Sequence, residues 1–418
     1  MMSDIAGLLR EAAPDALGVL LRRGERFADA EDAVQDAVLV ALDSWPTRGV
    51  PDRPVGWMVR VAQRRLIDHH HRDTARRRRE ALVASWATLP GEPDVSDDDS
   101  LALLFLCCHG SLTPSAAIPL TLRAVGGLTT KEIAEALLQP EATIAQRISR
   151  AKASIARSEE PFRRPPRDLI DDRLPAVMQI IYLIFNEGHA ATSGPRLTRT
   201  DLADEAIRLA RELHARLPDQ PEAAGLLALL LLTDARRPAR VGAGGELVPL
   251  DQQNRRLWSR AMIVEGLNLL SGALLQHSMG EYQLQAAIAA VHDQAPSYEA
   301  TNWAQLRALY NQLAARTENP LIQLNRVVAV AHTDGPRAAQ AEIAALADSL
   351  AENHRYFATV AYLHELAGED DAAMRSYQVA ARMATNEPER RYLQGKARAP
   401  ESVDEAEVVR KDTGGTRS

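Results

Sequence analysis

Cysteine is almost missing from this 418-residue chain: only Cys107 and Cys108 occur, and they are neighbours. A disulfide between adjacent residues is strained, so no covalent staple is expected and a reducing compartment fits. Aromatics make up only 4% of the residues. β-branched residues are also comparatively scarce, whereas the good helix formers Ala, Leu and Arg abound. The expected fold class is therefore all-α. No apolar run reaches the roughly 18 residues that crossing a bilayer takes; the densest, AAGLLALLLL, occupies only 223–232. The opening MMSDIAGLLREAAPDA lacks a basic segment leading into an apolar one, so no secretory signal is expected. The chain reads as soluble and cytoplasmic, with no membrane partner.

Metal-binding spacing is absent too. Neither Cys-x-x-Cys nor His-Glu-x-x-His occurs, and the consecutive His69, His70 and His71 would point in three directions on a helix. Cys107, Cys108 and His109 have the same problem, so no metal and no cofactor is expected. Asn186-Glu187-Gly188-His189 could supply an acid and a base, but no nucleophile motif or phosphate loop surrounds it. It reads instead as a helix C-terminus with Gly188 in the left-handed conformation, and no enzyme is expected.

What is present is a strongly uneven charge distribution. The total is −7, yet eight arginines against three acids lie between Arg60 and Glu80. The stretch DHHHRDTARRRRE at 68–80 reads as the tail of a long helix, with Arg76–Arg79 circling it. GEPDVSDDDS at 91–100 follows, acidic and without apolar periodicity, which is a linker signature. A second boundary is expected in EEPFRRPPRD at 159–168. Beyond it the chain again reads as helical, and Gly335 and Gly368 open similar segments about one tetratricopeptide period apart. Helical hairpins of that kind and an irregular bundle both fit this half.

The most specific stretch is LTTKEIAEALLQPEATIAQRISRAK at 128–152. Thr129 and Glu132 form a capping box that starts one short helix, and Ile133, Ala134 and Leu137 form its inner face. A turn near Leu138–Pro140 leads to a second helix, whose inward residues are Ile144, Ile148 and Ile155. Its other side offers Thr143, Gln146, Arg147 and Arg150, which suits a helix-turn-helix reading base edges and phosphates in the major groove. Upstream, AEDAVQDAVLVALDSW at 30–45 places Leu39 among Asp32, Gln35 and Asp36 on one face, a candidate docking patch. RPVGWMVRVAQRRLIDHHHR at 53–72 buries Trp57 and Val61 while lining an extended basic surface with Arg60, Arg64, Arg65 and Arg72.

Taken in this order, the three motifs resemble bacterial sigma-70-type factors of the compact extracytoplasmic-function group. AEDAVQDAVLVAL is similar to their core-binding helix, the Trp-containing helix to their downstream-promoter-reading helix, and 128–152 to region four. The later segments CCHGSLTPSAAIPLTLRAVGGLTT, IYLIFNEGHAATSG and NEPERRYL resemble the subgroup with a tetratricopeptide-like C-terminal extension. Leu138, Ala145 and His189 depart from the residue types that group often carries. The resemblance implies a region-two domain over 1–90, the acidic linker 91–100 and a region-four domain over 101–158. A linker over 159–173, a regulatory helical domain over 174–400 and a disordered tail over 401–418 would follow. It also implies that Asp32, Gln35, Asp36 and Leu39 dock on the clamp helices of the largest subunit of RNA polymerase core. Arg60, Arg64, Arg65 and Arg72 would hold the downstream (−10-type) promoter element, and the loop 46–54 would capture an unstacked base. Thr143, Gln146, Arg147 and Arg150 would read the upstream (−35-type) duplex, and the extension would have room for a protein partner. A helix-turn-helix regulator with a helical sensor domain, not a polymerase subunit, is the alternative the same motifs allow.

Overall fold

The computed structural model describes residues 2–74, 97–137, 139–158, 166–191, 194–276 and 279–398. The Arg76–Arg79 run, positions 91–96, Leu138 and the tail 401–418 lie outside the described residues, as do the side chains of His69, His70, His71 and Arg72. Among the described residues there are nineteen α-helices and no strand, only two isolated β-bridges. The chain divides into two compact units.

The first unit gathers Met1–Thr192, Thr198–Pro238 and Arg256–Asp293. It opens with α1 (Met2–Arg22), α2 (Phe27–Arg48) and α3 (Pro54–Thr74), which pack on one another. Gly24, at φ +90, makes the turn out of α1, a conformation that costs little only without a Cβ. α2 buries Ala30, Val34, Ala37, Val38, Ala41 and Trp45 at three- and four-residue spacing. Trp45 meets Trp57 of α3 edge-on, with ring centroids 5.4 Å apart, fixing how the two helices cross. The helix runs through Pro46 to Arg48, so the connection to α3 is shorter than the expected loop and covers only 49–53.

Next come α4 (Asp97–Cys107), α5 (Pro114–Ala124), α6 (Thr130–Leu137) and α7 (Glu141–Ser158). The last four positions of the expected acidic linker are thus the first turn of α4. Asp99 is buried and pairs with Arg22 at 2.9 Å. It sits against Gly18 of α1, where a Cβ would come 2.7 Å from its own. The three-aspartate run looked like solvent-exposed linker because its inward member has a partner 77 residues earlier in the chain, which local composition does not reveal.

α8 (Arg167–His189), α9 (Thr200–Arg216), α10 (Pro221–Asp234), the four-residue α11 (Arg237–Arg240), α12 (Arg260–Leu274) and α13 (Glu281–Gln294) follow. α8 begins at Arg167, inside the second expected linker, 159–173. One continuous apolar core reaches from Ile5 of α1 to Leu231 of α10. The expected domains at 1–90 and 101–158, together with the first part of the extension, therefore share a core. Glu222 of α10 caps α13 from outside, its carboxylate accepting the Tyr282 and Gln283 amides at 3.0 and 3.1 Å.

The Asn186–His189 segment corrects one expectation. Gly188 is not left-handed; it lies within the last turn of α8. It is needed for close approach: a Cβ there would fall 2.3 Å from the Ala203 amide nitrogen of α9. His189 stacks on Phe185, with centroids 5.4 Å apart.

The second unit comprises Ser193–Leu197, Ala239–Arg255 and Gln294–Ser418. Its helices are α14 (Trp303–Ala314), α15 (Pro320–Thr333), α16 (Pro336–Ile343), α17 (His354–Leu366), α18 (Asp370–Met383) and α19 (Glu387–Lys396). Successive helices pair, with Gly335 (φ +93) turning α15 into α16 and Gly368 (φ +72) turning α17 into α18. Asn302, Asn319, Asn353 and Asn386 cap α14, α15, α17 and α19 with their side chains, so four of the six helix starts use the same device.

Gly188→Ala should lower stability by about 1–3 kcal/mol, the usual cost of overpacking a close contact. A urea unfolding midpoint shifted down at unchanged slope is the expected result.

Candidate nucleic-acid interface

The helix pair α6–α7 is built by local rules. The Glu132 carboxylate accepts the Thr129 amide at 2.8 Å, and the Thr129 hydroxyl accepts the Glu132 amide at 3.2 Å, closing the capping box and starting α6. Pro140 ends the turn, and its carbonyl accepts the Thr143 and Ile144 amides in the first turn of α7. Ile144, Ile148, Ala151 and Ile155 seat α7 on α5 and α6. This leaves Gln146 and Arg150 exposed and Thr143 and Arg147 half-buried on the outer side of α7. Hydrogen-bonding side chains on the outer face of the second helix of such a pair can reach base edges and phosphates in a major groove.

A second surface lies on α3. Arg60, Arg64 and Arg65 are exposed, while Met58, Val59, Ala62 and Leu66 face the core. Arg72 continues this helix. On the neighbouring α2, Asp32, Asp36 and Leu39 form an exposed stripe, with Leu39 58% accessible. Gln35, expected in that stripe, is buried at 6%. Acidic and basic faces meet where Arg65 comes within 3.7 Å of Asp36.

Three family models match consecutive parts of the chain. Sigma-70 region 2 covers residues 8–77, Sigma-70 region 4 covers 102–155, and a family of unknown function, DUF6596, covers 173–274. The first match contains α2 and α3, and the second contains the capping box and the exposed face of α7. The chain belongs to the sigma-70 family. It is an extracytoplasmic-function-like sigma factor with a C-terminal extension. An uncharacterized protein of Rhizobium meliloti (strain 1021) is 40% identical over 399 residues, which is 92% of this chain and 93% of that one. The similarity therefore includes the extension. No solved structure matches.

In this sigma factor, region 2 and region 4 touch through charges that sequence reading missed. Glu31 of α2 is 1% exposed. Lys152 of α7 donates to Glu31 Oε2 at 2.8 Å and to Asp32 Oδ1 at 2.6 Å. Arg123 of α5 donates from Nε to Glu31 Oε1 and from a terminal nitrogen to the Thr130 hydroxyl. A signal for Lys152 did exist: it lies four residues after Ile148, on the inward stripe, where a cation needs a buried partner. Glu31 likewise stands three residues before the buried Val34.

The extension contacts the same region. Arg208 of α9 donates to the Val125 carbonyl at 2.9 Å and to Glu205 at 2.7 Å. Gly126, in the turn entering region 4's helix pair, has no room for a Cβ: one would lie 3.0 Å from Glu205 Oε1. Asp15 of α1 faces this group. Burial raises its pKa from 3.8 to about 6, aided by the charges of Glu212 and Asp99 and opposed by Arg208 and Arg216. Among the described residues no helix is long and apolar enough to cross a membrane, and no three His, Cys, Asp or Glu side chains gather as a metal set.

Folded Asp15 thus holds its proton more tightly than the unfolded chain does. Its contribution to stability is complete below pH 3.8 and is lost as pH rises through about 6. Asp15→Asn should raise the melting temperature at pH 7.5, by roughly 2–4 °C after allowing for solvent screening. The gain should vanish in melts at pH 4.5.

Proposed function

We propose that this sigma factor binds RNA polymerase core and directs transcription from specific promoters, with its extension regulating that activity within the same chain. The observation carrying this reading is the set of three exposed faces: the acidic and apolar stripe of α2, the arginines of α3 and the polar face of α7. Asp32, Asp36 and Leu39 would dock on the clamp helices of the largest polymerase subunit, joined by Gln35 if the helix is repacked on docking. Arg60, Arg64, Arg65 and Arg72 would hold phosphates of the downstream element. The connection within 46–54 would receive an unstacked base. Thr143, Gln146, Arg147 and Arg150 would read the upstream duplex.

The energetics fit a subunit that needs its polymerase. Opening duplex sacrifices stacking of roughly 1–2 kcal/mol per step, which contacts to the separated strand must offset. A few exposed arginines bring mainly phosphate contacts, which weaken steeply with salt as counterions are released. Binding by the isolated chain is therefore weak and salt-sensitive. Such a protein works in the cytoplasm, needs no cofactor and catalyses no reaction of its own. The α9 contact of Arg208 with the Val125 carbonyl supports regulation by the extension, because it holds the turn that precedes the helix pair α6–α7. The pairing of successive helices in the second unit supports a tetratricopeptide-like reading, which would offer a surface to a protein partner.

Binding to bare core polymerase tests the reading. A sigma factor co-migrates with core in the absence of DNA, and the holoenzyme then gives run-off transcripts from selected genomic fragments. Failure to bind core while still binding duplex would instead establish a helix-turn-helix regulator with a sensor domain. In the holoenzyme, Arg150→Ala should weaken upstream-element binding by about 1–3 kcal/mol. Arg64→Ala should weaken all promoters alike and flatten the salt dependence by about one unit of slope.

A further inference from the structure

Within the second unit, α18 and α19 enclose a groove of about 520 Å³. α18 contributes Gln378 and Arg382 to it, and α19 with its closing turn contributes Arg390, Gln394 and Arg398. No acidic residue lines it. Arg390 has Glu387 only at 3.9 Å, and among the described residues no carboxylate pairs with Arg382 or Arg398. Three guanidinium charges gathered without an anion repel one another, so the arrangement suits a ligand that brings negative charge. We propose that this groove binds an extended acidic segment of a partner protein, with carboxylates four residues apart. The proposal rests on reading the extension as a partner surface, and it adds the chemistry of what that surface takes.

The spacing of the side chains selects the ligand. α18 and α19 pack on each other and are joined only by 384–386, so Arg382 and Arg390 stand at one end of the groove. Arg390 and Gln394 share a face of α19 at four-residue spacing. The turn closing α19 carries Arg398 further along, its amide donating to the Gly395 carbonyl at 3.3 Å. Arg398 therefore marks the opposite end, about 12 Å from Arg390 at about 1.5 Å of rise per residue. An extended peptide advances about 3.3 Å per residue and turns every second side chain to the same face. Carboxylates at positions i and i+4 thus point one way, about 13 Å apart, and reach both ends. Arginine suits them because its fork donates two parallel hydrogen bonds to one carboxylate. Between the ends, the amides of Gln378 and Gln394 each offer donors and an acceptor. A peptide backbone presents an N–H and a C=O at nearly every residue and meets both halves of such an amide. A chain of phosphates only accepts, so it would supply no donor to either amide oxygen.

The experiment is fluorescence anisotropy on the full chain with a labelled seven-residue peptide. It carries glutamate at its second and sixth positions and glycine or alanine elsewhere. A comparison peptide has its glutamates at the second and fifth positions, which point to opposite faces of an extended chain. The first peptide should bind saturably, weaken with added salt and bind about tenfold more tightly than the second. Arg382→Gln/Arg398→Gln alters two exposed positions. This variant should bind the first peptide about tenfold more weakly and no longer distinguish the two. Equal affinity of the unaltered chain for both peptides would overturn the groove, even if the variant does not fold. So would binding of neither peptide. A short single-stranded oligonucleotide that displaces the first peptide, and loses affinity with the same two arginines, would overturn it in favour of nucleic acid. Binding of the first peptide that is unchanged in the variant would remove this groove while leaving the partner-surface reading in place. No polymerase enters the assay, so none of these failures bears on core binding.

Discussion

A carboxylate placed almost entirely out of water governs the first half of this molecule. Glu31 sits on the inward face of α2, where an unpaired charge would cost several kcal/mol. Lys152 and Arg123 answer it from α7 and α5. Because these cations come from two helices, the pairing orients α2 relative to the whole reading head. An apolar residue at position 31 would pack as well but would accept many arrangements. The charged cluster accepts few, since each oxygen of Glu31 already has a donor in a fixed direction. Arg123 extends the constraint by also holding Thr130, the first residue of α6.

Much of this was legible from spacing alone. The capping box at Thr129 and Glu132 formed with its expected atoms because both partners lie within one helical turn. Gly335 and Gly368 marked the turns of two helix pairs because only glycine enters a positive φ cheaply. The exposed residues of α7 followed from the period of its isoleucines. What escaped reading was long-range. Lys152 finds its partners 121 and 120 positions away, and Asp99 finds Arg22 far upstream. In each case a charge on an inward stripe looked like a break in the apolar pattern. Gly188 was misread for a related reason: a glycine near a helix end suits a left-handed cap, but its neighbour across space, Ala203, was not visible.

The arginines sort into two populations that composition cannot separate. Arg22, Arg123, Arg208, Arg236 and Arg237 are each tied to a carboxylate within the first unit. They stabilise helix contacts, and their charge is spent locally. Arg60, Arg64 and Arg150 project from the surface, and no carboxylate among the described residues ties them. A chain with a net charge of −7 can therefore still present concentrated positive potential. Among the arginines named here it is this second population that can exchange its counterions for phosphates, so the salt dependence of DNA binding should not follow the total charge.

The first helices of the extension belong to the shared core, and this changes how it can act. α8 and α9 pack on α4 and α5, and the shared core continues without a break to α10. A tethered domain acts on its neighbour mainly by raising its own local concentration. A domain that shares a core acts through packing, because interiors are dense and transmit displacement. Arg208 and Glu205 bear on Val125 and Gly126, at the turn from which the reading helices leave. Asp15, Asp99 and Glu212 crowd the same seam from α1, α4 and α9, so the charge balance there depends on all three parts keeping their places. Any movement of α9 must therefore either carry region 4 with it or break contacts at that turn, and both outcomes alter how α7 meets its DNA.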